Sequence, residues 1–500
     1  MLHLQSPASS ALSLLYFLIA VIIFMGAYST TAFAAPVFDD PINYIISNTG
    51  NEVVGGQISD IATADFNGDG FLDIAGTVPL TYYDDNGIPN PHEGVAILIN
   101  DGDGTFAVPY YITYEENLTS IVAGDFDNDG DADLATANNT SDDLAILLND
   151  GNGGFIVTSR LETMLPEKLV SFDFDDDGDL DLAATVSNGT QSDTQQGNQG
   201  VQIFLNDNSG NFTLSTLVRT SSTITDFTAA DFDGDSDVDL VAGNRNVVAT
   251  YTVMLNEGNG VFITSEISLL SEDSENSPQF DAIISGDIDS DGDIDVIATL
   301  DGSQAISHLT LVNDGTGSFA LGQTLYFGNP GPLAVFDLDN DGDIDIVTSN
   351  AIFLTNNGQG FFTQAEESVT IPSLSYVTSL QLADLNNDNK NDLIISSMGQ
   401  LGIWVILHTA TENPTPIEQA GALIADVIGL DILNNLENSY LANLFKVEGF
   451  IESGQTTPAI NQLNAFINKV NQDYSHSKLT KQVRDSLVAA AQKLIDDLTN

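Results

Sequence analysis

The chain has 500 residues, 42% of them hydrophobic, with 72 Asp plus Glu against 11 Lys plus Arg, for a net charge of −61. So acidic a surface excludes nucleic acid as a partner, because phosphate binding needs the opposite sign. The absence of cysteine excludes a disulfide framework, a thiolate nucleophile and a zinc site built from Cys.

The N-terminus carries an apolar run from Ala11 to Ala27, then small residues up to Ala35. This is the pattern of a signal peptide over residues 1–34, cleaved after Ala34, with Ala32 and Ala34 as the small pair. A retained anchor is the competing reading, because the run approaches the ~18-residue minimum for a span and no Lys or Arg precedes it. No later segment is long and apolar enough to span a bilayer. The expected location is therefore secreted or cell-surface, with no transmembrane span once the signal is removed.

From Asp65 to Asp73 the chain reads DFNGDGFLD, and this nine-residue spacing recurs from Asp125, Asp173, Asp231, Asp287, Asp337 and Asp384. The intervals are 60, 48, 58, 56, 50 and 47 residues. Each copy is followed by a β-type run such as DLATA from Asp133, then a second such as LAILLND ending at Asp150. A Gly-rich turn comes next, and in six copies a Phe opens another strand: Phe106, Phe155, Phe212, Phe262, Phe319 and Phe362. Four antiparallel strands per copy, seven times over, describe an all-β seven-bladed propeller across residues 36–411. The seventh copy stops after IWVILHT at Thr409, without its hairpin. Phe38 and the following DDPINYI supply the missing strand, so the N-terminal strand is expected to complete the last blade.

The acidic loops predict calcium. In the second copy Asp125, Asp127 and Asp129 stand at loop positions 1, 3 and 5, and Gly130 permits a sharp turn. The Asp131 carbonyl is expected to face inward from position 7, and Asp133 to close the site at position 9. Calcium takes six to eight hard oxygen ligands, and four carboxylates so close together repel strongly without a cation. The equivalent sets are Asp65, Asn67, Asp69, Phe71 and Asp73 in the first copy, and Asp173, Asp175, Asp177, Asp179 and Asp181 in the third. The fourth has Asp231, Asp233, Asp235, Asp237 and Asp239; the fifth has Asp287, Asp289, Asp291, Asp293 and Asp295. The sixth has Asp337, Asp339, Asp341, Asp343 and Asp345; the seventh has Asp384, Asn386, Asp388, Lys390 and Asp392. Up to seven structural calcium ions are expected. Asn67 makes the first site intermediate, Ser236 replaces the turn Gly in the fourth, and Asn386, Asn389 and Lys390 make the Asp384 site the weakest.

The loop departs from an EF-hand, whose closing acid is at position 12; here position 12 of the second copy is Thr136. The repeats instead resemble the FG-GAP and VCBS repeats of integrin α-chain propellers and of many secreted bacterial and archaeal proteins. The resemblance covers about three quarters of the chain. It implies a calcium-binding propeller engaged in recognition or adhesion outside the cell.

Strand order puts the acidic loops and the Gly-rich hairpins on one face of the disc. The opposite face carries the length variation. Blade 1 has an insertion from Val78 to Gly94 with Tyr82, Tyr83 and His92, and blade 3 has another from Ser187 to Gly200. Variable segments on a rigid scaffold are where binding usually resides. The expected function is an extracellular binding or adhesion scaffold for protein or glycan. A lectin-like propeller and a polysaccharide lyase or hydrolase on the same fold are the alternatives. Catalysis has no distinctive signal: His92, His308 and His408 share no triad or metal spacing. The propeller's only bases are Arg160, Lys168, Arg219, Arg245 and Lys390.

After a linker at residues 412–416 the periodicity becomes helical over 417–500. One helix is expected to bear Leu441, Leu444, Phe445 and Ile451. A second, starting at Thr457-Pro458, bears Ile460, Leu463, Ile467 and Val470, and a third bears Val483, Leu487, Leu494 and Leu498. These predict a small all-α helical bundle. The phrase AINQLNAFINKV from Ala459 to Val470 resembles the FIMAH-type domain of exported prokaryotic proteins. That resemblance implies an extracellular accessory or surface-interaction module.

Overall fold

A computed structural model describes residues 37–39, 41–44, 52–54, 58–83, 89–114, 117–187, 199–245, 249–258, 260–269, 278–301, 307–326, 331–339, 341–368, 376–397, 402–409, 440–441, 443–447, 450–451, 455–475 and 481–499. The expected signal segment, the 412–416 linker and most of the blade 3 insertion lie outside the described residues. Among the described residues no helix is long and apolar enough to cross a membrane. Contacts divide the chain into two compact units, one of Pro36–Thr409 and one that includes Ala410–Asn500.

The larger unit is a seven-bladed β-propeller. Blade 2 shows the plan, with strands Leu118–Gly124, Asp133–Asn138, Asp143–Asn149 and Phe155–Glu162 paired antiparallel in that order. Blades 3 to 6 repeat it over Leu169–Arg219, Ile224–Ser268, Gln279–Leu325 and Leu333–Ser368. The residue pattern changes from the second strand outward, for a physical reason. Asp133–Asn138 is buried at every position, because a central strand is covered on both faces by neighbouring blades. Phe155–Glu162 alternates half-buried with exposed, because its outer face meets water. The cores therefore lie in the seams: Phe126, Leu144 and Ile146 of blade 2 pack with Leu169, Leu182 and Phe204 of blade 3.

The first strands of successive blades adjoin all the way round, including blade 7 with blade 1. Blade 7 combines Val377–Ala383, Asp392–Ser397 and Ile403–Ile406 with the N-terminal strand Ile42–Tyr44, in the register Ile42↔Val405 and Tyr44↔Ile403. Val37–Phe38 pairs His408–Thr409 beside it. The ring is thus closed by the strand that the truncated seventh copy called for. In blade 1 the Val78–Gly94 insertion takes the form of a continued strand pair, matched from Val78↔Gly94 to Tyr83↔Pro89, with Glu52–Val54 added at its edge. Its β-branched and aromatic residues favour that extension.

In the C-terminal unit two helices are described, α1 (Thr456–Ser475) and α2 (Lys481–Thr499), with helical backbone also at residues 440–441, 443–447 and 450–451. They share one apolar core that includes Leu444, Leu463, Val470, Leu487 and Leu494, as the periodicity predicted. Phe445 is a correction: it is 53% exposed, and Tyr440, Val447 and Phe466 fill the core. Pro458 sits in the first turn of α1, where its missing N–H costs no helical hydrogen bond.

Candidate metal sites

Each acidic loop is organised by its own backbone. In blade 2 the N–H groups of Asp129 and Gly130 donate to the Asp125 carboxylate at 3.1 and 3.0 Å, and the Asp131 N–H donates to Asp129 Oδ1 at 3.0 Å. Asp133 at position 9 is fully buried. Its Oδ2 accepts from Phe126 N at 2.9 Å and its Oδ1 from Asn149 N at 2.7 Å. All seven loops share this device. Asp73, Asp181, Asp239, Asp295, Asp345 and Asp392 likewise accept one N–H from loop position 2 and one from the end of the third strand.

Five loops gather three carboxylates whose oxygens lie within 4.8 Å of one another. In blades 2, 3, 4 and 6 these come from positions 1, 3 and 9: Asp125, Asp127 and Asp133; Asp173, Asp175 and Asp181; Asp231, Asp233 and Asp239; Asp337, Asp339 and Asp345. In blade 5 they come from positions 1, 3 and 5, Asp287, Asp289 and Asp291. In all five, Oδ1 of the position-3 Asp is buried with no hydrogen-bond partner. Burial, then neighbouring carboxylates, raises the pKa of Asp127, Asp175, Asp233 and Asp289, and takes Asp339 to about 6. Burial likewise lifts the position-9 carboxyls, Asp133 to about 6 and Asp181, Asp239 and Asp345 to about 7. Unpartnered buried oxygens of one sign lack a positive charge, so the donor set fits an oxygen-seeking divalent cation.

The five loops are those with Asp at position 3. In blade 1 Asn67 satisfies itself, donating its Nδ2 to Asp69 Oδ2 at 2.9 Å and accepting the Asp69 N–H at 2.9 Å. In blade 7 Asn386 Oδ1 accepts the Asp388 N–H at 3.0 Å, and the Lys390 N–H donates to Asp388 Oδ1 at 3.0 Å. In blades 1, 2, 4, 5 and 6 the position-7 side chain is placed at the hairpin instead. Phe71, Asp131, Asp237, Asp293 and Asp343 lie against the Gly-rich hairpin of their own blades.

The sequence reading missed the residue that links one loop to the next. Asn149, at the end of the third strand of blade 2, donates Nδ2 to Phe66 O of blade 1 at 2.8 Å and to Ala132 O of its own loop at 2.9 Å. Asn100, Asn206, Asn256, Asn313 and Asn356 repeat the link to the preceding blade. The signal was present in the sequence, as an Asn directly ahead of every hairpin. Blade 7 has His408 there, whose Nδ1 has no partner and whose ring stacks on Phe38 at 4.7 Å. Phe38 in turn stacks on Phe353 of blade 6 at 5.0 Å, so aromatic contact replaces the amide link at the closing seam.

Asp60 was also unforeseen. Its carboxylate accepts from Ser120 Oγ of blade 2 at 2.7 Å and from Ser379 Oγ of blade 7 at 2.8 Å, joining three blades. Several bases weighed for catalysis are held by acids. Arg160 pairs with Asp143 at 3.0 Å and Arg245 with Glu167 at 3.1 Å, while Asp226 beside Lys168 holds its ammonium charged. His308 is buried, with Nδ1 3.0 Å from Thr299 Oγ1. The side chains of Tyr82, Tyr83 and His92 lie outside the described residues.

A family model for the FG-GAP-like repeat matches residues 83–136, 173–242, 231–298 and 287–348, and a FIMAH domain model matches residues 430–496. No curated protein matches the chain. Among solved structures it is similar to a Lactobacillus plantarum protein at 11% identity and TM-score 0.45, over 65% of this chain and 89% of that one. The WD40 domain of Toxoplasma gondii coronin is similar at 13% identity and TM-score 0.46, over 76% and 89%. The V. cholerae biofilm matrix protein Bap1 is similar at 12% identity and TM-score 0.36, over 75% and 92%.

Proposed function

Because the chain carries FG-GAP-like repeats on a seven-bladed propeller and a FIMAH domain after it, we propose that it is an exported binding scaffold, secreted or displayed at the cell surface. Calcium ions in the acidic loops hold the blades, and the face opposite those loops contacts an extracellular protein or glycan. The C-terminal helices form a small bundle that serves as a surface-interaction module. One observation carries the calcium reading: the position-3 carboxylate oxygen, buried and without a partner in five loops. The paired extension of blade 1 supports the assignment of the binding face, since it gives that face a feature not repeated among the described residues of the other blades. The pairing of Arg160 and Arg245 with acids favours binding over polysaccharide cleavage.

The test is thermal unfolding of the chain from Ala35 in calcium and in EDTA, with bound metal counted and binding to glycan and protein arrays measured under both conditions. Each site held at a hundredfold excess over its Kd adds about 2.7 kcal/mol. Melting is expected to rise steeply with calcium, with five to seven ions bound and array binding lost in EDTA. Unchanged melting with no bound calcium would remove the metal reading; array binding that is equal in EDTA would remove the scaffold reading.

A further inference from the structure

At position 7 the blade 3 loop departs from its relatives. In blades 1, 2, 4, 5 and 6 this side chain rests on a hairpin glycine: a Cβ built on Gly315 would stand 2.6 Å from Asp293 Oδ2, and one on Gly358 2.5 Å from Asp343 Oδ2. Those glycines have positive φ, and blade 3 places Asn208 at the equivalent position with φ 64°. Asn208 therefore brings a Cβ onto the ground where the other position-7 side chains lie. Asp179 is correspondingly buried, 8% exposed, and its Oδ1 has no hydrogen-bond partner. The charges that bear on it are those of Asp177, Asp175 and Asp173 in its own loop, and it bears in turn on Asp181. In the other clustered loops the charges acting on position 9 come from positions 3 and 5.

We propose that the blade 3 loop binds its cation with the Asp179 carboxylate as an additional side-chain ligand, five carboxylates around one ion, and is the tightest calcium site of the propeller. Calcium affinity follows ligand charge and site rigidity, and a buried carboxylate with one unpartnered oxygen beside the loop is placed to raise both. The inference rests on the calcium reading above.

The experiment is a chelator-competition titration of the full chain with calcium, resolving the first ion bound. Asp179→Asn is expected to weaken that first step by about tenfold, while Asp103→Asn, which removes one carboxylate from the exposed blade 1 hairpin outside every acidic loop, leaves it unchanged. Asn208→Gly reopens the hairpin ground to Asp179 and is expected to weaken the first step comparably with every carboxylate still present. In crystals of the unaltered chain given less than one equivalent of terbium, the anomalous peak is expected beside the Asp179 carboxylate. This last readout stands even where a variant fails to fold. A first peak in another loop, an unchanged first step in Asp179→Asn, or an equal loss in Asp103→Asn would overturn the proposal. A parent chain that binds no ion would instead overturn the calcium reading itself.

Discussion

The position-9 aspartate carries two roles in one side chain. Its oxygens accept backbone N–H groups from loop position 2 and from the third strand, and in four blades it also stands within reach of the positions 1 and 3 carboxylates. Burial raises its pKa from 3.8 to about 6 in Asp73, Asp133, Asp295 and Asp392, and to about 7 in Asp181, Asp239 and Asp345. A carboxyl with a raised folded pKa binds its proton more tightly in the folded chain than in the unfolded one. Its contribution to stability is full below the unfolded pKa and is lost as pH rises through about 6 to 7. The metal-stripped protein is therefore expected to melt at higher temperature at pH 5 than at pH 8. With calcium the order reverses, because protons compete for the same oxygens. Melting curves of stripped and loaded protein across that range check both signs, and a stripped protein that loses stability on acidification would contradict the assignment.

At the scale of the element, the blade is tied to the preceding one by a side chain at the end of its third strand. The Asn at the end of the third strand ties the loop of its own blade to position 2 of the preceding blade, a part-buried and a buried carbonyl held by one amide. Aromatic pairs reinforce the seam, as where Phe66 of blade 1 meets Phe155 of blade 2 edge-on at 5.4 Å. Asn256→Ala removes the amide that reaches Phe174 O at 2.9 Å and Val238 O at 3.3 Å. The expected cost is about 1–3 kcal/mol, since buried acceptors lose their donor. Asn211→Ala, at an exposed hairpin, is expected to stay within about 0.5 kcal/mol. Urea unfolding of the calcium-loaded chain distinguishes the two; equal effects would reduce the seam link to an ordinary surface contact.

For the whole molecule, closure is the decisive event. A ring of blades with an unpaired edge would expose a ladder of backbone groups, and the strand Ile42–Tyr44 covers it by pairing with Ile403–Ile406. Asp60 closes the inner wall between blades 7, 1 and 2, and Phe38 closes the blade 6–7 seam from outside the repeat pattern. Removing the residues through Tyr44 is expected to lower the melting temperature by several degrees and to abolish slow hydrogen exchange at Ile403–Ile406 before it changes blades 3 and 4. Retained protection there would mean that the N-terminal strand covers the edge without stabilising it.

What the sequence determined by itself was the repeated unit: seven acidic loops, four strands per blade, a last blade lacking a strand, and a first segment fit to supply it. Those features are local, written in spacing and alternation within about 50 residues. That the Asn67 and Asn386 loops gather fewer carboxylates than the others was legible in the same way. The tertiary structure decided what each repeat receives from its neighbour. Asn256 reaches a carbonyl 82 residues away and Asp60 a hydroxyl 319 residues away, separations that no periodicity encodes. It also decided that Phe445 faces outward while Tyr440 and Phe466 fill the helical core, because apolar spacing marks a stripe but not its partner. Asp179 makes the same point within a single loop. Its identity at position 7 matches that of Asp131, but Asp131 lies beside the hairpin Gly151, whereas Asp179, in the blade whose hairpin carries Asn208 instead, is buried.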